Sequence, residues 1–91
     1  MTKKPKTLER YYKGVSNHHR IEILMLLQKT SGLTLTEIAD TLKCNFKTMS
    51  EHTKRLHAAG LIQKEYRGNY VMHYLSPYGE KMVKSFSLFD K

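Results

Sequence analysis

The sequence predicts a winged helix-turn-helix: a mainly α (α+β) fold of about five helices with a two-stranded β-hairpin wing. Three observations point there. Helical periodicity runs from Leu8 to Ala59 with only short breaks. Within it, a capped helix is separated from its successor by just Lys43, Cys44 and Asn45. After Leu61 the rhythm changes to two strand-like segments joined by a Gly-Asn loop, and a final helix follows.

Leu8, Tyr11, Tyr12 and Val15 follow the i, i+3, i+4, i+7 spacing of one apolar helical face, so the first helix is placed at 7–13. Pro5 is expected to discourage an earlier start, and Gly14 to end the helix. Residues 1–6, with Lys3, Lys4 and Lys6, read as a flexible basic arm that either adds salt-sensitive affinity for a polyanion or only solubilises the chain. Asn17 can cap a second helix reaching about Lys29. Its Ile21, Ile23, Leu24, Leu26 and Leu27 leave little polar circumference, which makes it the central buried helix.

Thr34 and Glu37 have the spacing of a capping box and open a third helix through Leu42. Asn45 can cap the fourth, Phe46 to Ala59, and Gly60 stands where a left-handed C-cap belongs, with Leu61 folding back on Leu56. The helix-turn-helix thus covers 34–59 and the wing 61–76. In the hairpin, Val71, His73 and Leu75 should face inward, with Tyr70, Met72 and Tyr74 outward. Ser76-Pro77 starts the last helix, 77–89, lined on one face by Tyr78, Met82, Phe86 and Phe89. Residues 7–91 form a single domain, since 91 residues leave no room for a second.

The charge narrows the function. Sixteen Lys and Arg against eight Asp and Glu give a net charge of +8, which favours nucleic acid, or less readily an anionic membrane. The longest aliphatic run, Ile23 to Leu27, is far below the roughly 20 residues that span a bilayer. The basic start is followed by "TLERYYKG" rather than the apolar core of a signal peptide, and one cysteine excludes an internal disulfide. The expectation is a cytoplasmic protein without a membrane partner.

On the fourth helix, Met49, Thr53 and Leu56 cluster on one side, with Phe46 at its edge. Lys47, Thr48, Glu51, Lys54 and Arg55 lie opposite. Lys47 occupies the first turn, where the helix dipole repels cations by a few tenths of a kcal/mol or more. A negative partner arriving there explains the exception. Lys47, Thr48 and Glu51 are therefore candidates for reading bases: Lys donates to guanine, Thr meets a thymine methyl, and Glu accepts from cytosine N4. Ser50, His52, Lys54 and Arg55 are assigned to phosphates, and Asn45 to capping with a place at the same edge. In the wing, Arg67 and Asn69 can reach a minor groove or its phosphates, and Lys64 can add a backbone contact.

"NHHRIEILMLL", "LTEIADTLKCNFKTMSEHTKRLHAAGLI" and "RGNYVMHYL" together resemble the ArsR-like winged-helix transcriptional regulators over roughly Ser16 to Leu75. The most specific part is Ser50, His52, Leu56 and Ala59 to Ile62. "LSPYGEKM" is similar to the way MarR-type regulators continue after the wing. The resemblance implies a homodimer on an imperfect palindrome, usually a repressor, with the first and last helices as the dimer interface. Leu8, Tyr11, Tyr12, Val15, Met82, Phe86 and Phe89, with Leu88, are the residues this implies, unless they complete a monomer core. Thr34 and Thr36 stand where arsenic sensors of the family carry a Cys-x-Cys pair. The last helix offers Glu80 and Asp90 but no histidine. Neither known metal site of the family is expected, and the operator sequence does not transfer, because Glu51 and Thr53 depart from the family pattern.

Elsewhere, the adjacent His18 and His19 point about 100° apart on a helix and read as a poor ligand pair; His52 and His57 are five apart. No metal site and no cofactor are expected, and any small-molecule or metal effector is unknown. Cys44 reads as a packed thiol in the turn, with a redox switch as the alternative. No phosphate-binding Gly-rich loop and no Ser/His/Asp arrangement is present, so no enzyme is expected. The function expected is sequence-specific double-stranded DNA binding by a dimeric regulator. The alternatives are a winged-helix protein-interaction module and a non-specific architectural DNA binder.

Overall fold

Five helices and one hairpin follow in the order expected. The computed structural model describes residues 2–90; Met1 of the expected arm and Lys91 of the expected domain lie outside them. The elements are α1 (Pro5–Val15), α2 (His18–Lys29), α3 (Leu35–Leu42), α4 (Phe46–Ala58), β1 (Ile62–Arg67), β2 (Tyr70–Leu75) and α5 (Pro77–Phe86), with a 3₁₀ turn at Ser87–Phe89.

The first helix is longer than its periodicity suggested. Pro5 opens it rather than delaying it, because the first helical position needs no N–H donor and favours proline's fixed φ. The basic arm is correspondingly shorter, and Lys3 lies with its ammonium 4.7 Å from the centre of the Tyr78 ring. Gly14 does not end α1 but lies inside it. A Cβ there would overlap the Cβ of Ala59, so glycine is what lets α1 lie close against the end of α4.

The core is a single cluster around α2. Ile23, Leu24 and Leu27 of α2, Ile38 of α3, Met49 and Leu56 of α4, and Leu61 are all fully buried within it. The caps are the ones the sequence signals. Asn17 accepts from the His19 and Arg20 amides, and Thr34 and Glu37 form a reciprocal capping box. Gly60, at φ +81°, closes α4 with Gly60 N–H donating to His57 and Leu61 N–H to Leu56, the paired bonds of a Schellman motif. Lys43 ends α3 the same way at φ 54°, with Cys44 N–H donating to Ala39.

β1 and β2 pair antiparallel from Ile62↔Leu75 to Arg67↔Tyr70. His73 is buried as expected, and Val71 and Leu75 are half-buried. Met72 and Tyr74 are half-buried rather than outward, and Tyr74 covers Gly32 in the α2–α3 loop. An unforeseen bridge joins Leu33 to His73. The Leu33 carbonyl accepts from the His73 amide at 2.8 Å and from its ring Nδ1 at 2.9 Å, so Nδ1 carries the proton.

Burial lowers the pKa of His73 from its ordinary value; the bond to Leu33 opposes that shift, and Lys64 and His57 add to it. A depressed histidine pKa means that the unfolded chain binds the proton more readily. The stability is fully present above the unfolded-state value of about 6.5 and falls as pH drops below it. Urea unfolding at about pH 7.5 and about pH 5.5 should therefore show a larger acid loss for the wild type than for His73→Asn, which keeps a donor toward Leu33. The difference between the two proteins reports His73, since burial lowers His52 as well.

Candidate nucleic-acid interface

α4 presents the stripe the sequence predicts. Met49, Thr53 and Leu56 are buried, while Lys47, Thr48, Glu51, Lys54 and Arg55 are all exposed. Thr53 fits an apolar site because its hydroxyl donates to the Ser50 carbonyl at 3.0 Å. Asn45 is engaged as the cap, accepting from the Thr48 amide at 3.1 Å, and this bond fixes where the first turn starts. Lys47 in that turn has no carboxylate bonded to it among the described residues.

The wing stands beside this stripe. A cleft of about 720 Å³ runs between α4 and the hairpin, bringing Ser50 and Lys54 together with Lys64 and Asn69. Lys64 is half-buried at its wall, and Asn69 and Arg67 are exposed near the tip. Arg67 is already ion-paired with Glu65, so a phosphate must compete with that carboxylate for its guanidinium.

His52 is not on the outward stripe but half-buried against α2, with its Nδ1 3.3 Å from the Arg20 guanidinium and its ring 5.3 Å from that of His19. Position 52 projects between the buried and exposed faces, where the neighbouring helix decides its contacts. Burial, then the charges of Arg20, His19, Arg55 and His18, lower its pKa and favour the neutral ring.

Sequence reasoning also missed residues. Phe46, Tyr66 and Tyr70 line the cleft yet are 53%, 72% and 67% exposed, giving it an apolar, stacking-capable rim. Arg20 was overlooked as well. Among the described residues its Nε is buried without a partner, and its terminal nitrogens reach only His52 and the Ser16 carbonyl. Burial and then the Arg55 charge lower the pKa of its guanidinium. Arg10, Lys13, Arg20 and Arg55 surround a depression of about 280 Å³ with no carboxylate in its lining among the described residues. The available signal was the run His18-His19-Arg20, a basic first turn of the same kind that made Lys47 conspicuous.

The remaining expectations divide. Of the apolar residues assigned to a dimer interface, Tyr11 and Val15 are buried in the core of the single chain, where Tyr11 packs on Tyr78 at 4.9 Å. Helix α1 turns that edge of its stripe inward. Leu8, Met82 and Phe86 are half-buried, while Tyr12, Leu88 and Phe89 remain 62%, 80% and 84% exposed. Cys44 is half-buried in the turn, its thiol donating to the Leu42 carbonyl at 3.3 Å. His18 and His19 are not splayed apart as adjacency suggested. Their rings tilt together at 4.1 Å, and with Glu22 they gather donor atoms within 4.8 Å of one another.

The family model of the bacterial regulatory proteins of the arsR family matches residues 17–64, more than half of the chain. The chain belongs to the arsR family of bacterial regulatory proteins. It is a DNA-binding transcriptional regulator with the winged helix-turn-helix fold, and regulators of this family are not enzymes. The matched residues take in α2, α3, α4 and the start of β1, the elements that carry the exposed stripe.

The chain is similar to HlyU from Vibrio cholerae N16961, at 22% identity and a TM-score of 0.85, with 100% of each chain covered. It is also similar to Mb0332 from Mycobacterium bovis, described as a homodimeric winged helix-turn-helix DNA-binding domain and a possible ArsR-family regulator. That match has 25% identity and a TM-score of 0.77, covering 93% of this chain and 76% of the other. MepR of S. aureus, solved in complex with DNA, matches at 24% identity and a TM-score of 0.78, covering 93% and 73%. No curated protein matches the sequence. Among the described residues, no helix is long and apolar enough to cross a membrane.

Proposed function

We propose that the chain acts in the cytoplasm as a homodimeric repressor that recognises a palindromic operator. The observation that carries this reading is the stripe of Lys47, Thr48 and Glu51, free of the protein interior and projecting from the first turns of a helix seated on the core. The N-terminal residues of a recognition helix are those nearest the base edges in the major groove. Lys54, Arg55 and Lys64 flank it as phosphate contacts, and Arg20 with Arg10 extends the positive surface on the far side of α4.

The terminal elements support a pair of subunits. Tyr12, Leu88 and Phe89 leave large apolar surface in water. Leu8, Met82 and Tyr78 line a groove beside Tyr12, so α1 and α5 are the surfaces a second copy would cover. Two recognition helices would then enter successive major grooves about 34 Å apart. The homodimeric Mb0332 domain and the DNA-bound MepR support this arrangement.

Selection of bound duplexes from a random pool tests the reading. A regulator of this kind should enrich a two-fold symmetric sequence and hold it roughly 10³-fold or more above a scrambled duplex. Enrichment of no sequence would favour an architectural binder, and binding of no duplex a protein-interaction module. Arg67→Ala should weaken binding to all duplexes alike and reduce the slope of log affinity against log salt by about 1. A loss confined to one sequence would instead make Arg67 a base reader.

A further inference from the structure

We infer that the start of α2 and the α3–α4 turn together form a binding site for a borderline divalent cation of the zinc class, with His18, His19, Glu22 and Cys44 as its donors. This site uses none of the residues assigned to DNA or to subunit pairing. His18 and Glu22 are four apart on one helix, the spacing that places two side chains on the same face, and His19 is three from Glu22. One donor atom from each of the three lies within 4.8 Å of the other two.

His19 is the hinge of the set. Its Nδ1 is 3.8 Å from a Glu22 carboxylate oxygen and 3.9 Å from the Cys44 sulfur. Ligands around tetrahedral zinc, with bonds of about 2.0–2.3 Å, stand roughly 3.3–3.6 Å apart. Those two edges are thus within about half an ångström of closing on one ion. Cys44 would exchange its bond to the Leu42 carbonyl for the metal, and its thiol proton would go to solvent.

The chemistry selects the cation. Imidazole and thiolate favour zinc-class metals over magnesium or calcium, which prefer oxygen. The Glu22 carboxylate and the Cys44 thiolate would balance the two positive charges of the ion. That balance matters here, because Arg20 is next in sequence to His19. Its guanidinium, however, is turned away toward Ser16 and His52.

The location gives binding a consequence. Cys44 immediately precedes Asn45, the cap of α4, and the His19 ring meets His52 of α4. An ion held here ties the central helix to the origin of the recognition helix. This consequence, unlike the binding itself, rests on the proposed DNA-binding function. Metal occupancy should therefore change affinity for the selected duplex.

Titration of the full reduced chain with Co²⁺ tests the site. Expected are one ion per chain, the intense visible bands of tetrahedral cobalt, a thiolate charge-transfer band in the near ultraviolet, and displacement of all of these by Zn²⁺. Cys44→Ser should remove the charge-transfer band. His19→Ala, and separately Glu22→Gln, should weaken Zn²⁺ binding by at least about tenfold, with His57→Ala as the unaffected control. Helical circular dichroism confirms that each variant is folded. Absence of the bands, or wild-type affinity in folded His19→Ala, overturns the site. Unchanged duplex affinity on Zn²⁺ loading overturns the regulatory link. Failure of both metal-free and loaded protein to bind any duplex overturns the DNA reading while the metal site stands.

Discussion

Gly79→Ala is expected to cost about 3 kcal/mol of folding stability and to lower the melting temperature by about 15 °C, measured by calorimetry. A Cβ at this position would overlap the backbone carbonyl oxygen of Leu61 and press on the side chain of Leu75. Backbone cannot swing aside as a flexible side chain can, so α5 must move. The junction it leaves is tightly bonded. The Ser76 hydroxyl donates to the Gly60 carbonyl at 2.7 Å and accepts from the Gly79 amide at 2.9 Å, and the Ser76 amide donates to Leu61 at 3.1 Å. Displacing α5 strains all three bonds at once. Gly68→Ala is the contrast. That glycine has open space around its missing Cβ and only its φ of +60° to strain, so the loss should be about 1 kcal/mol. Equal losses at both positions would show that close packing at Gly79 is not what matters.

Lys47→Ala should lower affinity for the selected duplex by about 10- to 100-fold while leaving scrambled duplexes much less affected. Lys47 is exposed in the first turn of α4, whose dipole opposes its charge, and among the described residues no bonded carboxylate offsets that. Glu51 is one turn further along the same exposed face. Glu51→Ala should relax discrimination at a different base pair, and it should not flatten the salt slope, because a carboxylate neutralises no phosphate. Competition binding with single-base variants of the selected duplex measures both. A uniform loss on every sequence would reassign Lys47 to the phosphates and leave Glu51 outside the readout.

Much of the fold was legible because it is written in local chemistry. The Thr34–Glu37 capping box, Asn17 and Asn45 as caps, and Gly60 as a left-handed terminus each depend on neighbours within a few residues. The exposed charged stripe of α4 was legible for the same reason. Helical geometry fixes which residues oppose Met49, Thr53 and Leu56, and the core decides which side faces out. The misreadings occur where a residue answers to a partner distant in sequence. Gly14 looked like a helix end, but the approach of Ala59 is what requires it. Tyr11 and Val15 looked like interface, but the turn of α1 against α4 and α5 buries them.

The sequence by itself determined the element order, the caps and the charged face of α4, since periodicity and short-range hydrogen bonding act along the chain. Only the tertiary structure decided that His52 turns to Arg20, that Leu33 joins His73, and that Cys44 comes to lie beside His19. Side chains projecting from helix flanks have more than one neighbour within reach. The packing of α2 against the α3–α4 turn selects among them, and no local pattern encodes that choice.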